Sequence, residues 1–235
     1  VNEMEGFGYP ATSRFGTATL APAPLVLSQE LANTIGLSHL PQFVDLLGQV
    51  DSAQQWIDSV VPRWCTSFGA DDPRLLVTEA ELPRLRAVRD TLRAVLGGAG
   101  ASEATGNGTG ASEATGEVSG ASEATGNVQR DPETDAVISG TAEIRVTASG
   151  AHLEPHGSGA DWLASAISIE AAAAHAQDTF RRLKLCHETH CRTALYDRSK
   201  NNSRVWHDTA TCGNKTNARA HRERRRAIAR DDSSQ

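Results

Sequence analysis

The 235-residue sequence predicts a mainly α-helical body with one small β-hairpin, an α+β arrangement, followed by a small C-terminal module of ββα pattern. Three observations predict it. Apolar residues recur at helical spacing through much of 25–96 and again after Asp161, and one stretch near 142–156 alternates as strands do. Three of the four cysteines crowd between residues 186 and 212.

Taken in order, residues 1–24 are rich in Gly, Pro, Ala and Thr and read as an extended, flexible leader. Val1 fits a translated GTG start, as in a GC-rich bacterium. The opening VNEMEGFGYPATSRFG has no basic region before an apolar core, so no secretory signal is expected. From Leu25 three helical pieces follow: LVLSQELANTI, LPQFVDLLGQV and SAQQWIDSVV. Asp51 or Ser52 is the expected cap of the third, with Gln55 completing a capping box from Ser52. In EAELPRLRAVRDTLRAVL, residues Leu82, Leu85, Val88, Leu92 and Val95 mark the apolar stripe of a helix that Gly97-Gly98 should end. Arg84, Arg86, Arg89 and Arg93, beside Glu79, Glu81 and Asp90, read as its solvated, ion-paired face.

Residues 100–129 are three decapeptides, GASEATGNGT, GASEATGEVS and GASEATGNVQ, without an aromatic residue. Such a segment buries too little apolar surface to offset the entropy of ordering, so 98–130 reads as a flexible insert. AEIRVTAS then alternates Ile144, Val146 and Ala148 as a half-buried strand, and Ser149-Gly150 turns into AHLEPH. Asp161 opens an alanine-rich helix expected to run close to Cys186 and carry the C-terminal module directly. The expected division is a body over 25–183, the module over 184–230 and a tail over 231–235.

Charge is segregated. Residues 181–230 hold 14 Lys/Arg and 4 Asp/Glu, a net of +10, whereas residues 1–180 hold 9 and 23, a net of −14. A basic end on an acidic body points to a polyanionic partner for that end, most often nucleic acid. No apolar run reaches the length of a membrane span, so no membrane partner is expected. With cysteine usage favouring metal over disulfides, the expected location is the cytoplasm, at the nucleoid when bound to DNA.

Cys186/Cys191 and His207/Cys212 form two pairs, each spaced by four residues and separated by fifteen. Two pairs of soft ligands at the ends of turns are what a closed, tetrahedral structural Zn2+ site requires. A segment this short and polar needs such a staple to fold. His187, His190 and His221 lie nearby without the paired geometry, and His152 and His156 read as solvated. Cys65 stands alone as a small buried hydrophobe. After Cys212, a helix starting near Lys215 or Thr216 places Arg219, Arg222 and Arg226 on one face with Arg225 nearby; it is sized for a DNA major groove. Arg198, Lys200 and Arg204, on a turn between strands Thr193–Asp197 and Arg204–His207, and Lys215 are candidates for phosphate contact. Tyr196 and Trp206 should fill the module's core. No phosphate loop, nucleophile elbow or HExxH pattern is present, so the reading is not an enzyme.

The stretch RLKLCHETHC…LYDRSKNNSRVWHDTATCGNKTNARAHRERR resembles the C-terminal domain of the bacterial CGNR zinc-finger family. Members usually carry an N-terminal ABATE domain associated with stress-responsive regulation, and the body over 25–97 and 136–183 is similar to it. The resemblance implies a treble-clef- or zinc-ribbon-like finger and a DNA-binding transcriptional regulator with duplex DNA as partner. A single finger binds DNA weakly on its own, so a homodimer formed through the body is expected. A protein-interaction adaptor, docking an acidic partner such as a component of the transcription machinery, is the alternative. The chain departs from the family pattern at His207, usually cysteine, and at Lys215, usually arginine.

Overall fold

The computed structural model describes residues 9–16, 18–37, 40–103, 136–148 and 150–216, together with residues 218, 219, 221, 222 and 225. The elements are α1 (Pro10–Ser13), α2 (Val26–Ala32), α3 (Val50–Phe68) and α4 (Glu81–Glu103), then β1 (Ala142–Thr147), β2 (Gly150–Pro155) and α5 (Gly159–Ala176). A 3-10 turn (Phe180–Arg182), β3 (Leu183–Leu185), β4 (Ala194–Tyr196) and a π-helical turn (Thr209–Gly213) complete them. The fold is the mainly helical α+β arrangement expected, with one antiparallel hairpin in the body and a second in the finger. Residues 1–8 of the leader, 104–130 of the insert and the tail 231–235 lie outside the described residues.

Every residue of α2 is buried. Seven residues cannot hold a helix in water alone, so its neighbours must. Glu170 of α5 accepts the backbone N–H groups of Leu27 (3.0 Å) and Ser28 (2.7 Å), the Ser28 hydroxyl (2.6 Å) and the Trp64 indole N–H (3.1 Å). The two backbone N–H groups are orphan donors of the α2 N-terminus, and the carboxylate caps them from another helix. Glu30 repeats the device for α1, accepting Ala11 N–H (3.0 Å), Thr12 N–H (2.7 Å) and the Trp56 indole (3.3 Å). The leader is therefore not flexible throughout: Pro10–Ser13 is helical, and Ala11 and Thr12 are buried against Glu30.

One expected helix and three expected boundaries are corrected. LPQFVDLLGQV is not helical but a series of turns, because Asp45 accepts the Leu47 N–H (2.9 Å) in a local turn and also receives Arg89 (2.7 Å). Helix α3 starts at Val50 rather than after Ser52, and the Ser52 hydroxyl donates back to the Leu46 and Gln49 carbonyls instead of capping. It also runs through Pro62 to Phe68, since burying Trp64 and Cys65 beside Trp56, Ile57, Val60 and Val61 outweighs the roughly 3 kcal/mol cost of an interior proline. Helix α4 continues past Gly97 to Glu103. A Cβ on Gly97 would meet Arg192 Nη2 at 3.0 Å, so this glycine makes room for the finger and does not end the helix.

The arginine face of α4 is likewise not simply solvated. Arg84 is exposed and pairs with Glu81 and Asp161. Arg89 is buried between Asp45 and Asp90, and Arg86 donates to the Leu47 carbonyl (2.8 Å). Arg93 donates to the carbonyls of Ala32 (2.7 Å) and Arg192 (2.9 Å), tying α2 to the finger.

Strands β1 and β2 pair as expected, from Ala142↔Pro155 to Thr147↔Gly150. Strand β1 is fully exposed rather than half-buried, because the hairpin leans on the body through β2, where Leu153 packs on the core. Helix α5 stops at Ala176, short of the finger. There Thr179 returns both its N–H (2.8 Å) and its hydroxyl (3.1 Å) to the Ala174 carbonyl, and Asp178 takes a positive φ of 54°.

Burial pushes the Glu170 carboxyl from 4.5 up to about 7, against the pull of its four donors. The folded protein then keeps a proton that the unfolded chain releases, so this contribution is present below pH 4.5 and lost as pH rises to about 7. The loss is roughly 3 kcal/mol. Denaturant titrations across this window should show the wild type falling relative to Glu170→Gln, which does not titrate; parallel profiles would contradict the assignment.

Candidate metal centre

The finger hairpin brings Cys186 and Cys191 together. Cys186 directly follows β3, its N–H donating to the Thr193 carbonyl (2.8 Å) beside β4. The intervening knuckle closes with Cys191 N–H on the Glu188 carbonyl (2.9 Å) and a positive φ at Arg192 of 51°. Strand Ala194–Tyr196 thus pairs with Leu183–Leu185 and not with Arg204–His207, which the sequence suggested. The 204–207 segment is extended but unpaired as a strand, and its backbone reaches the knuckle through the bond from His187 N–H to the Val205 carbonyl (2.9 Å).

Between these segments, the DRSKNNSR turn is organised by a buried Asp197. Its carboxylate accepts Ser199 N–H (2.8 Å), Arg204 N–H (2.7 Å) and the Lys184 ammonium (3.2 Å). Burial alone would raise this carboxyl, but the three donors prevail and hold it below the usual range. Arg182 adds donors to the carbonyls of Asp197 (3.0 Å) and Ser199 (2.8 Å). The second ligand pair brackets the π-helical turn, His207 just before its cap and Cys212 near its end. The Asp208 side chain caps that turn by accepting Ala210 N–H (2.8 Å), and Cys212 N–H bonds the Asp208 carbonyl (2.9 Å). A Cβ on Gly213 would lie 3.3 Å from Trp206 Cε3, so glycine lets the indole close over the sulfurs.

Cys186, Cys191, His207 and Cys212 are all buried, and their ligand atoms lie within 4.8 Å of one another. His207 presents Nδ1, at 3.2 Å from Cys191 Sγ and 3.5 Å from Cys212 Sγ. Ordinary Zn–S and Zn–N bonds at tetrahedral angles place two sulfurs about 3.8 Å apart and a sulfur and nitrogen about 3.5 Å apart, so the set fits Zn2+. The proton chemistry agrees. Cys191 is held as the thiolate, down to about 3, by the hydrogen bond from Cys186, with His207 and Thr193 adding to it. Donating that bond raises Cys186, and burial followed by the negative Cys191 raises Cys212. Three thiols this close need a cation to ionise together. Among the described residues, Leu195 and Trp206 pack against the sulfurs, and the Phe15 ring meets His207 edge-on (centroids 6.3 Å apart). Tyr196, expected beside Trp206, instead joins the body core with Leu183, Leu185 and Ala194, and the expected boundary at residue 184 falls inside β3.

The other sequence-predicted positions are distributed as follows. Arg204 turns inward, its Nε donating to the Trp206 carbonyl (2.9 Å) and its Nη2 to the His207 carbonyl, so it braces the metal loop. Arg198 and Lys200 are exposed on the turn, with one Arg198 donor on the Leu20 carbonyl (2.9 Å). The chain becomes helical at 214–216, and Lys215, Arg219, Arg222 and Arg225 are exposed; Arg226 lies outside the described residues. His190 is exposed on the knuckle, and Cys65 is buried, its thiol pushed up to about 12 by burial and by Asp72 and Asp71. Sequence reasoning missed Glu188. Its buried carboxylate accepts the Thr216 hydroxyl (2.8 Å) and lies 3.7 Å from Arg219 Nη2, fastening the basic helix to the knuckle. The signal available was an acid lodged between two ligands in CHETHC.

A Cys3His cluster on a hairpin, followed by a turn and a helix, defines a zinc finger holding one structural Zn2+. Residues 182–225 match the family model of the CGNR zinc finger. Comparison with curated proteins finds no match. Among the described residues, no helix is long and apolar enough to cross a membrane.

The chain should bind one Zn2+, and Co2+ in its place should give the visible bands of a tetrahedral thiolate site. Cys191→Ser should weaken the metal at least about a hundredfold, while His207→Cys should keep it. Glu188→Ala should leave metal stoichiometry unchanged yet cost about tenfold in hydrogen-exchange protection at Thr216 and Arg219. Intact protection would deny Glu188 its anchoring role.

Proposed function

We propose that this chain is a zinc-dependent, DNA-binding transcriptional regulator whose finger contacts duplex DNA. The supporting observation is that an arginine-bearing helix follows directly from the metal ligand Cys212 and is fastened by Glu188, with Arg219, Arg222 and Arg225 facing solvent. A helix held at its base and basic along its length suits the major groove, where arginine reads guanine edges bidentately. Lys215, Lys200 and Arg198 are exposed and are the cations assigned here to phosphate contacts, and the +10 charge of residues 181–230 supplies attraction to the polyanion. The metal supplies rigidity here; the chain's own cations do the binding. One finger offers few base contacts, so a homodimer formed through the body is part of the proposal, as is regulation through the ABATE-like body.

The test is fluorescence anisotropy of the zinc-loaded chain on duplexes selected from its genome, at several salt concentrations. Replacing Arg219, Arg222 and Arg225 together by alanine should weaken binding at least about a hundredfold and reduce the salt slope by about 2–3. Metal content should not change. Undiminished binding by the triple variant would overturn the reading.

A further inference from the structure

A cavity of about 540 Å³ opens between the body and the finger, and three of the four metal ligands, Cys191, His207 and Cys212, form part of its lining. One wall is apolar: the Phe15 and Phe43 rings stack at 5.1 Å and 8°, with Leu37 and Leu40 alongside. The facing wall is the start of the basic helix, with Lys215 and Arg219. Arg14 lies over both rings, its guanidinium carbon 5.5 Å and 6.0 Å from their centroids. It is fixed there by donors to the carbonyls of Val44 (2.6 Å), Asn33 (2.6 Å) and Ile35 (3.0 Å).

We propose that this cavity is a binding site for a flat aromatic carboxylic acid, whose ring lies along Phe15 and Phe43 and whose carboxylate meets Lys215. The size is that of ordinary small-molecule sites, and an apolar slot with one charged group at its end is their usual chemistry. The two acids on the rim are already committed to protein donors, Glu188 to Thr216 and Asp208 to the Ala210 N–H. The Lys215 ammonium, by contrast, makes no ion pair with any described residue, and it is the cation left to meet an anion. Arg14, whose donors are taken by carbonyls and which feels the carboxylates of Glu30 and Asp45 without a salt bridge to either, adds positive potential above the rings. An aromatic ring gains from stacking on Phe43, and a carboxylate on lysine forms a charge-assisted hydrogen bond. The proposal does not depend on the DNA reading, since binding is measured without DNA.

Calorimetric titration of the zinc-loaded full chain with 2-naphthoate should show saturable binding at one site. Lys215→Ala, which alters an exposed side chain, and Phe43→Ser should each weaken it roughly tenfold. Arg145→Ala, on the exposed β1 strand, should leave it unchanged, and the neutral analogue 2-naphthylmethanol should bind roughly tenfold more weakly than the acid. Absence of saturable binding, equal affinity for the alcohol, or indifference to Lys215→Ala would each overturn the site.

Discussion

The structure depends on burying the polar side chains of one seven-residue helix without leaving any of them unpaired. Gln29, Glu30 and Asn33 are all fully buried at and just after α2, in a position where an unmade hydrogen bond costs on the order of 1–3 kcal/mol. Each is answered by partners outside α2. Glu30 takes the start of α1, Gln29 takes the Thr19 carbonyl and the Ala21 N–H, and Asn33 takes Thr12 and Ala194. Glu170 reaches in from α5 to cap the helix itself. Apolar contacts alone would permit these helices to slide, whereas directional bonds fix one register.

The same network joins finger to body. Arg93 spans from the Ala32 carbonyl to the Arg192 carbonyl, and Leu183, Leu185, Ala194 and Tyr196 lie in the body's apolar cluster. The metal orders the outer half of the finger, around Cys186, Cys191, His207 and Cys212, and the body orders the inner half. Cavity, metal loop and basic helix consequently share one frame, with Glu188 as the point where the helix is pinned to it.

Much of this was legible in the sequence. The four ligands stood out because turns at the two ends of a short segment leave few ways to pair them, and the Glu79–Leu96 and Asp161 periodicities marked α4 and α5. What was not legible were the cases where tertiary partners overrode local pattern. Asp45 diverted an apolar run into turns, Trp64 carried α3 past a proline, and Gly97 served packing where its type suggests an end. Arg86, Arg93 and Arg204 read as surface because the carbonyls they serve are distant in sequence or belong to unforeseen loops. The roles of Glu30 and Glu170 depend on indole and backbone donors that no spacing announces.

Asn33 also engages the finger hairpin at Ala194. Its amide oxygen accepts the Ala194 N–H (2.8 Å) and its amide nitrogen donates to the Ala194 carbonyl (3.0 Å), the two bonds an adjoining strand would make. A two-stranded hairpin has two open edges, and an open edge invites pairing with another chain. One side chain here stands in for a missing third strand and closes the outer edge of β4. The body thereby acts as a guard against edge-to-edge association of the finger, a service to solubility that neither the metal nor the basic helix provides.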